Sequence, residues 1–588
     1  MARVLGIIGN CSYNALISEG SVDWLCWPRP DSSFVFGGLL DAEKGGAFVI
    51  EAVGGADVHQ EYIENTNVLR TVFAGSGGSF ELIDFAPRFT QFDRPFKPSM
   101  LVRVLRPLAG DPRVRVRCRP TWDYGRVAAA SWRASNHIEY TGFPTPVRLT
   151  TNVPLSYVEE ERPFLLERSH HLVLTWGQPL EAGLEETAER FLERTLDYWR
   201  QWVKGTRVPR DYQREVIRSA LVLKLHQYED TGALLAATTT SLPEHPGSGR
   251  TWDYRYCWLR DAYFTLNAFE RLGHSEEMER FLFYLRNLAE ERGGELQPVY
   301  TITGGDSMEE VELDHLAGFN GEKPVRIGNQ AFTHVQNDVY GEMILAVSRL
   351  LLDARFAGSV ATPQAVRLVS GLLERIEERL DAPDAGLWEL RGIRRLHAFT
   401  VLAHWAGARR AAEIGAALNA PELHTHAAAV AERAAGLLEE KCWNSELGVL
   451  TQAAGEPQLD AALLLALHLG FFRPGDPRAE SHVDAIREAL TVDGHGGILR
   501  RYSVPDDFGK PEAAFTVCSF WLVEALAILG RHDDARTLFE ELLSLHNGLG
   551  LYSEDILPDT REQSGNFPQT YSHVGLINAA FRLSRSWD

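Results

Sequence analysis

Pro112-Arg113-Val114-Arg115-Val116-Arg117-Cys118-Arg119 alternates strictly between apolar and charged residues. Val114, Val116 and Cys118 fall on one side and the arginines on the other. A period of two marks a half-buried β-strand. Similar short β-prone runs lie on either side, at 47–51, 101–105 and 171–176, with glycine-rich turns such as Gly75-Ser76-Gly77-Gly78 between them. Many short strands with this punctuation predict an antiparallel β-sandwich over residues 1–183. The period then changes. Phe191, Leu192, Leu196, Trp199 and Val203 recur at helical spacing, predicting a linker helix over 184–206.

From 207 to 588 the pattern is helical. The clearest stretches lie near 210–228, 261–272, 276–293, 331–354, 363–381, 397–418, 422–440, 513–530, 533–546 and 570–584, with weaker ones near 459–470 and 480–490. No repeat of fixed period is visible, which disfavours a solenoid. About twelve helices of similar length can instead close as a double-layered α/α toroid, with function in the loops at one end. The expected fold is therefore a multidomain β plus α chain, an N-terminal sandwich followed by a catalytic domain over 207–588.

Composition narrows the function. The chain has 588 residues, 45% hydrophobic and 24% charged, as ordinary globular proteins have. Acids outnumber bases by 80 to 59, for a formal charge of −21. Such a chain repels phosphate backbones and has no basic amphipathic segment for an anionic membrane. No apolar run approaches the ~18 residues of a membrane span. The apolar stretch after Met1 is too short for a signal peptide. The six cysteines form no CxxC pair, so a reduced, cytoplasmic protein is expected.

Four loops carry unusual chemistry. They are Thr251-Trp252-Asp253-Tyr254-Arg255-Tyr256-Cys257-Trp258-Leu259-Arg260-Asp261; Arg326-Ile327-Gly328-Asn329 leading to Gln336-Asn337-Asp338; Asp384-Ala385-Gly386-Leu387-Trp388-Glu389-Leu390-Arg391-Gly392; and Tyr552-Ser553-Glu554-Asp555 followed by Gly565-Asn566-Phe567-Pro568-Gln569. Tryptophan beside carboxylate on several loops is the equipment of a sugar site. Aromatic faces stack on a pyranose, polar side chains fix its hydroxyls, and two carboxyl groups cleave the acetal.

These loops, in this order, resemble glycoside hydrolase family fifteen: the glucoamylases, glucodextranases and prokaryotic trehalases. The resemblance begins at Gly9-Asn10-Cys11-Ser12 and Gly20-Ser21-Val22-Asp23-Trp24-Leu25-Cys26-Trp27-Pro28 and runs through nearly the whole chain. It implies a β-sandwich joined to an (α/α)6 barrel. It also implies roles. Glu389 falls on the general acid and Glu554 on the general base, with Asp555, Asp559 and Glu562 as competing acids. Arg260 and Asp261 fall on the pair that holds the terminal glucose, and Tyr254 on a tyrosine that positions the attacking water. Trp258 lines the pocket. Arg501 and Tyr502 resemble a substrate-binding loop. Gln336 and Asp338 match a polar pair that binds sugar or braces a helix.

The chain also departs from the family. Leu390 stands where fungal glucoamylases carry a second glutamate, which leaves Trp388 and Arg391 as candidates for the second sugar. Tyr571 replaces a tryptophan, and Arg409 replaces a common aspartate. No HExxH motif, zinc-spaced Cys/His cluster, EF-hand or P-loop is present. His315 has an acidic neighbour but no second histidine, so it reads as a loop anchor. No cofactor is expected.

The expected activity is an inverting exo-acting α-glucoside hydrolase. It would release β-glucose from maltooligosaccharides or isomaltooligosaccharides, with a trehalase of the same family as the alternative. A glycoside phosphorylase is the third reading. The expected partner is a small carbohydrate, with no nucleic acid and no membrane; linkage and oligomeric state stay open.

Overall fold

A computed structural model of the chain describes residues 4–356, 360, 362–473, 475–492 and 496–587. The opening Met1-Ala2-Arg3, where the leader reading begins, lies outside them.

The first third folds as two antiparallel sheets that share a core. One sheet runs in the order Gly6–Gly9, Asn14–Ser18, Ser21–Cys26, Ala47–Ala52, Arg113–Arg119 and Phe164–Leu165, with Phe34–Phe36 paired to Ser21–Cys26. The other has eight strands, with Met100–Gly110 between His170–Trp176 and Gly78–Phe85 near its centre. The alternating strand buries Val114, Val116 and Cys118 and turns its arginines outward, as its period requires. Arg103 crosses between the sheets. It pairs with buried Asp84 at 2.7 Å and donates to the Phe48 and Gly20 carbonyls of the facing sheet. Polar satisfaction of that kind is what allows a guanidinium to be fully buried.

Helix Leu184–Lys204 follows and packs Phe191, Leu192 and Trp199 on the sandwich. Beyond it, helices alternate between two layers. Leu259–Leu272, Asp338–Leu351, Ala398–Ala417, the short Ala461–His468 segment, Thr516–Ile528 and Thr570–Leu583 form the inner ring. Gln213–His226, Ser275–Glu291, Pro363–Glu378, Pro421–Leu437, Pro477–Leu490 and His532–Leu543 form the outer one. This is an (α/α)6 barrel. Inner helices such as Thr516–Ile528 are apolar all round, because they are covered on both sides.

One boundary differs materially from the sequence reading. The helix expected from 331 begins only at Asp338. Residues Gln330–Thr333 form a separate 3-10 turn, capped by the Asn329 side chain on the Ala331 amide at 2.9 Å. The cap starts this turn, and His334, in extended backbone with ψ 146°, ends it before Asp338. The six cysteines are free and buried. Among the described residues no helix is long and apolar enough to cross a membrane.

Candidate active site

The inner helices point their N-termini at one end of the barrel. The loops before them wall a pocket of about 90 Å3. Tyr254, Trp258, Arg260, Asp261, Trp388, Glu389, Arg391, Arg501 and Glu554 all line it. These residues are scattered over some 300 positions of sequence, as the 300-residue separation of bonded Tyr254 and Glu554 shows.

Glu389 sits in a tight turn. Gly386 takes a φ of 66°, and a Cβ there would meet the His397 ring at 2.8 Å. Glu389 itself has a φ of 62°, left-handed backbone that a non-glycine residue adopts only when its surroundings impose it. Buried Asp384 imposes it. Its carboxylate accepts from the Gly386 amide at 3.2 Å, the Asn337 amide at 2.8 Å and Thr400 Oγ1 at 3.0 Å. Glu389 Oε1 then receives three donors: Trp258 Nε1 at 2.6 Å, Arg260 at 3.2 Å and Gln336 Nε2 at 3.3 Å. With Oε1 saturated, a proton on this carboxyl belongs on Oε2.

Glu554 stands on a small sheet made by Ala514–Phe515, Asp555–Ile556 and Gln563–Ser564. Oε1 accepts from Tyr254 OH at 2.6 Å, while Oε2 is buried and bonds to no protein atom among the described residues. Gly565 lets the backbone pass close by; a Cβ there would lie 2.9 Å from that of Glu554. Of the competing acids, Asp559 and Glu562 are exposed, and Asp555 is buried but does not line the pocket. Trp258 and Tyr254, which bind the two carboxyls, meet edge to face with ring centroids 5.5 Å apart.

Arg260 and Asp261, the pair expected to hold the terminal sugar, lie on the first turn of Leu259–Leu272. Arg260 bonds to Tyr571 OH at 3.1 Å and Gln336 Oε1 at 2.8 Å, besides Glu389. Asp261 lines the pocket, and burial pushes its carboxyl up to about 7. Trp388 is aimed by Asp460, which accepts its Nε1 at 2.8 Å. Arg501 is held by Glu244 and packed among the Trp388, Tyr502 and Phe515 rings.

Other expected residues lie elsewhere. Tyr502 does not line the pocket; it is 2% exposed and its hydroxyl is spent on Asp506. Asp338 is fully buried below Arg260 with both oxygens unpartnered. Arg391 reaches the pocket, yet Glu310 and Gln330 bind its guanidinium, each at 2.8 Å. It lies over the Trp252 and Phe508 rings at 4.7 and 5.2 Å. His315 anchors a loop, contacting the Tyr124 carbonyl at 2.8 Å.

The family model for glycosyl hydrolases family 15 matches residues 210–581, the helical two-thirds that hold this pocket. The chain belongs to that family. A second model, for a trehalase-like N-terminal region, matches residues 3–159. A trehalase from Mycolicibacterium smegmatis is 35% identical, with 99% of this chain and 91% of that protein covered. A trehalase from Thermoplasma acidophilum is 30% identical, with 97% and 98% covered. A bacterial glucoamylase solved with acarbose has the same fold, with a TM-score of 0.69 at 15% identity over 99% of this chain and 94% of that one.

In this family 15 hydrolase, several pocket residues escaped sequence reading. Glu244 lies in Pro243-Glu244-His245-Pro246, a loop with no periodicity or motif to mark it. It accepts from Trp252 Nε1 at 3.0 Å as well as from Arg501. Asp460 had a signal that was passed over. It is an acid directly before the apolar run Ala461–Leu467, where an N-cap belongs, and it does accept the Ala462 amide at 2.8 Å. Tyr571 and Gln569, both noted in the sequence without a pocket role, open the last helix and line the pocket.

Burial, and then the nearby Glu244 charge, push the Glu554 carboxyl up to about 8. A protonated Glu554 cannot take a proton from water. Activity is therefore expected to fall as pH drops through that value. Glu244→Gln removes one of the raising charges, so the acid limb of kcat/KM should move to lower pH. A kcat/KM profile on both proteins checks it; an unmoved limb would separate Glu244 from the titrating group.

Proposed function

We propose that the chain is an inverting α,α-trehalose hydrolase. The full-length match to trehalases from both bacteria and archaea carries this reading over the maltooligosaccharide activity expected first. The pocket mouth supports it too. Arg391, stacked on Trp252 and Phe508, closes one side, and Asp507 accepts the Arg391 amide at 2.6 Å and the Gly392 amide at 3.0 Å, tying two rim loops together. A closed rim suits a disaccharide better than a long polymer. A buried Glu554 in the pocket, held by Tyr254 at 2.6 Å, supports hydrolysis over phosphorolysis, which would need no carboxylate to activate water.

In this mechanism Arg260 and Asp261 hold the hydroxyls of one glucose. Glu389 gives its Oε2 proton to the bridging oxygen as the glycosidic bond breaks. Glu554, oriented by Tyr254, takes a proton from the water that attacks the anomeric carbon from the opposite face. One glucose is inverted to β, and the leaving glucose keeps its α configuration.

Two measurements test the proposal. Glucose release should be far faster from trehalose than from maltose or isomaltose. Proton NMR in the first minutes, before mutarotation, should show α- and β-glucose in equal amounts. Release of α-glucose alone would mean retention and would make Glu554 a covalent nucleophile. Faster release from maltose would return the chain to the glucoamylase reading.

A further inference from the structure

The C-termini of the inner helices converge on the mouth of the barrel opposite the catalytic pocket. A second cavity, of about 130 Å3, opens there. Five arginines line it: Arg271, Arg349, Arg409, Arg410 and Arg582. Among the described residues, Arg271, Arg349 and Arg582 have no ion-pair partner, while Arg410 is paired with Glu413.

The other titratable groups facing the cavity are Tyr263, His468, Glu342 and Glu524. Glu342 is 1% exposed with neither oxygen bonded among the described residues; burial, and then Asp338, pushes its carboxyl well above the ordinary range. Burial raises Glu524, but His468 at 3.5 Å outweighs it, and Glu524 stays ionised. Five guanidinium groups thus share the cavity with two carboxyl groups, Glu342 and Glu524, in a chain of net charge −21. Positive charge concentrated in a concave, partly apolar site attracts anions strongly.

Charge balance at helix ends accounts for only part of this. Arg271, Arg349 and Arg582 lie in the last turns of their helices, where a cation offsets the helix dipole. Arg409 and Arg410 do not; they lie two turns before the end of Ala398–Ala417. Arg409 is braced at the cavity wall by the Leu469 carbonyl at 2.9 Å and the Trp405 ring at 4.7 Å. That placement gives a reason for the residue that departs from the family pattern. Forked guanidinium groups match a phosphate better than a single point charge does. The cavity is larger than a bare oxyanion needs. Phe264, Phe399 and Trp521 line it too, with Asn578, whose Oδ1 is buried and unpartnered.

We propose that this far mouth of the barrel is a binding site for a phosphate-class dianion, carried on a small polar body such as a sugar. Titration calorimetry on the full chain at constant ionic strength tests it, with inorganic phosphate and glucose 6-phosphate as separate probes. Saturable binding of one equivalent is expected, undiminished when glucose fills the catalytic pocket. Arg349→Gln, at an exposed position that folding tolerates, should weaken binding at least tenfold, and Arg271→Gln/Arg349→Gln further. Tighter binding of the ester identifies the carried phosphate, and equal binding identifies free phosphate; both support the site. No saturable heat with either probe, or unchanged affinity in a folded double variant, would overturn it.

Discussion

Glu389→Gln is expected to keep the fold and lose ~10²–10⁴-fold in kcat, the usual contribution of general-acid assistance. The amide is isosteric and can still accept from Trp258 and Arg260 through its oxygen. What it lacks is the proton on the Oε2 position. The loss should shrink sharply on α-glucosyl fluoride, whose leaving group needs little protonation. Steady-state rates on trehalose and the fluoride, side by side, make the test. An equal loss on both would show that Glu389 acts by binding sugar and not by proton transfer.

Arg255→Ala is expected to destabilise the chain by about 3–5 kcal/mol, the cost of leaving one partner of a buried ion pair uncompensated. Arg255 and Asp253 are both fully buried and meet at 2.7 Å. Arg255 also donates to the Ser32 carbonyl at 2.7 Å and Tyr124 OH at 3.2 Å, both in the sandwich. Asp253 accepts the Gly328 amide at 3.2 Å on the far side. The pair therefore ties the sandwich to the loop that carries Tyr254, Trp258 and Arg260. Denaturant melts should show the loss, and kcat should fall with it as the loop loosens. Asp253→Asn/Arg255→Met, which removes both charges, should recover much of the stability. A double variant no more stable than Arg255→Ala would mean that the hydrogen bonds to Ser32 and Tyr124, not the charge, dominate.

These two predictions rest on different kinds of legibility. Glu389 was a candidate because its loop, Gly386-Leu387-Trp388-Glu389, resembles the family's general-acid loop, and a local motif survives in one dimension. Arg255 was visible only as one residue of an aromatic-rich loop. Its partners at Ser32 and Tyr124 lie more than a hundred positions away, and nothing near it hints at them. Glu244 is the extreme case, a loop acid made important by Arg501, which is 257 residues distant.

The change from period two to period 3.6 near Leu184 was enough to divide strands from helices and to anticipate a barrel, because periodicity records which side of each element is buried. The start of the helix at Asp338 was misread for a related reason. Ala331, Phe332 and Val335 fit a helical pattern, but the extended backbone at His334 ends the turn that the Asn329 cap begins. Tertiary structure alone decided which acid near 554 faces the pocket, why Tyr502 lies behind it, and where the charge on Glu554 is suppressed. Burial and through-space electrostatics depend on neighbours that folding brings together, and those distances are not encoded in any single stretch of chain.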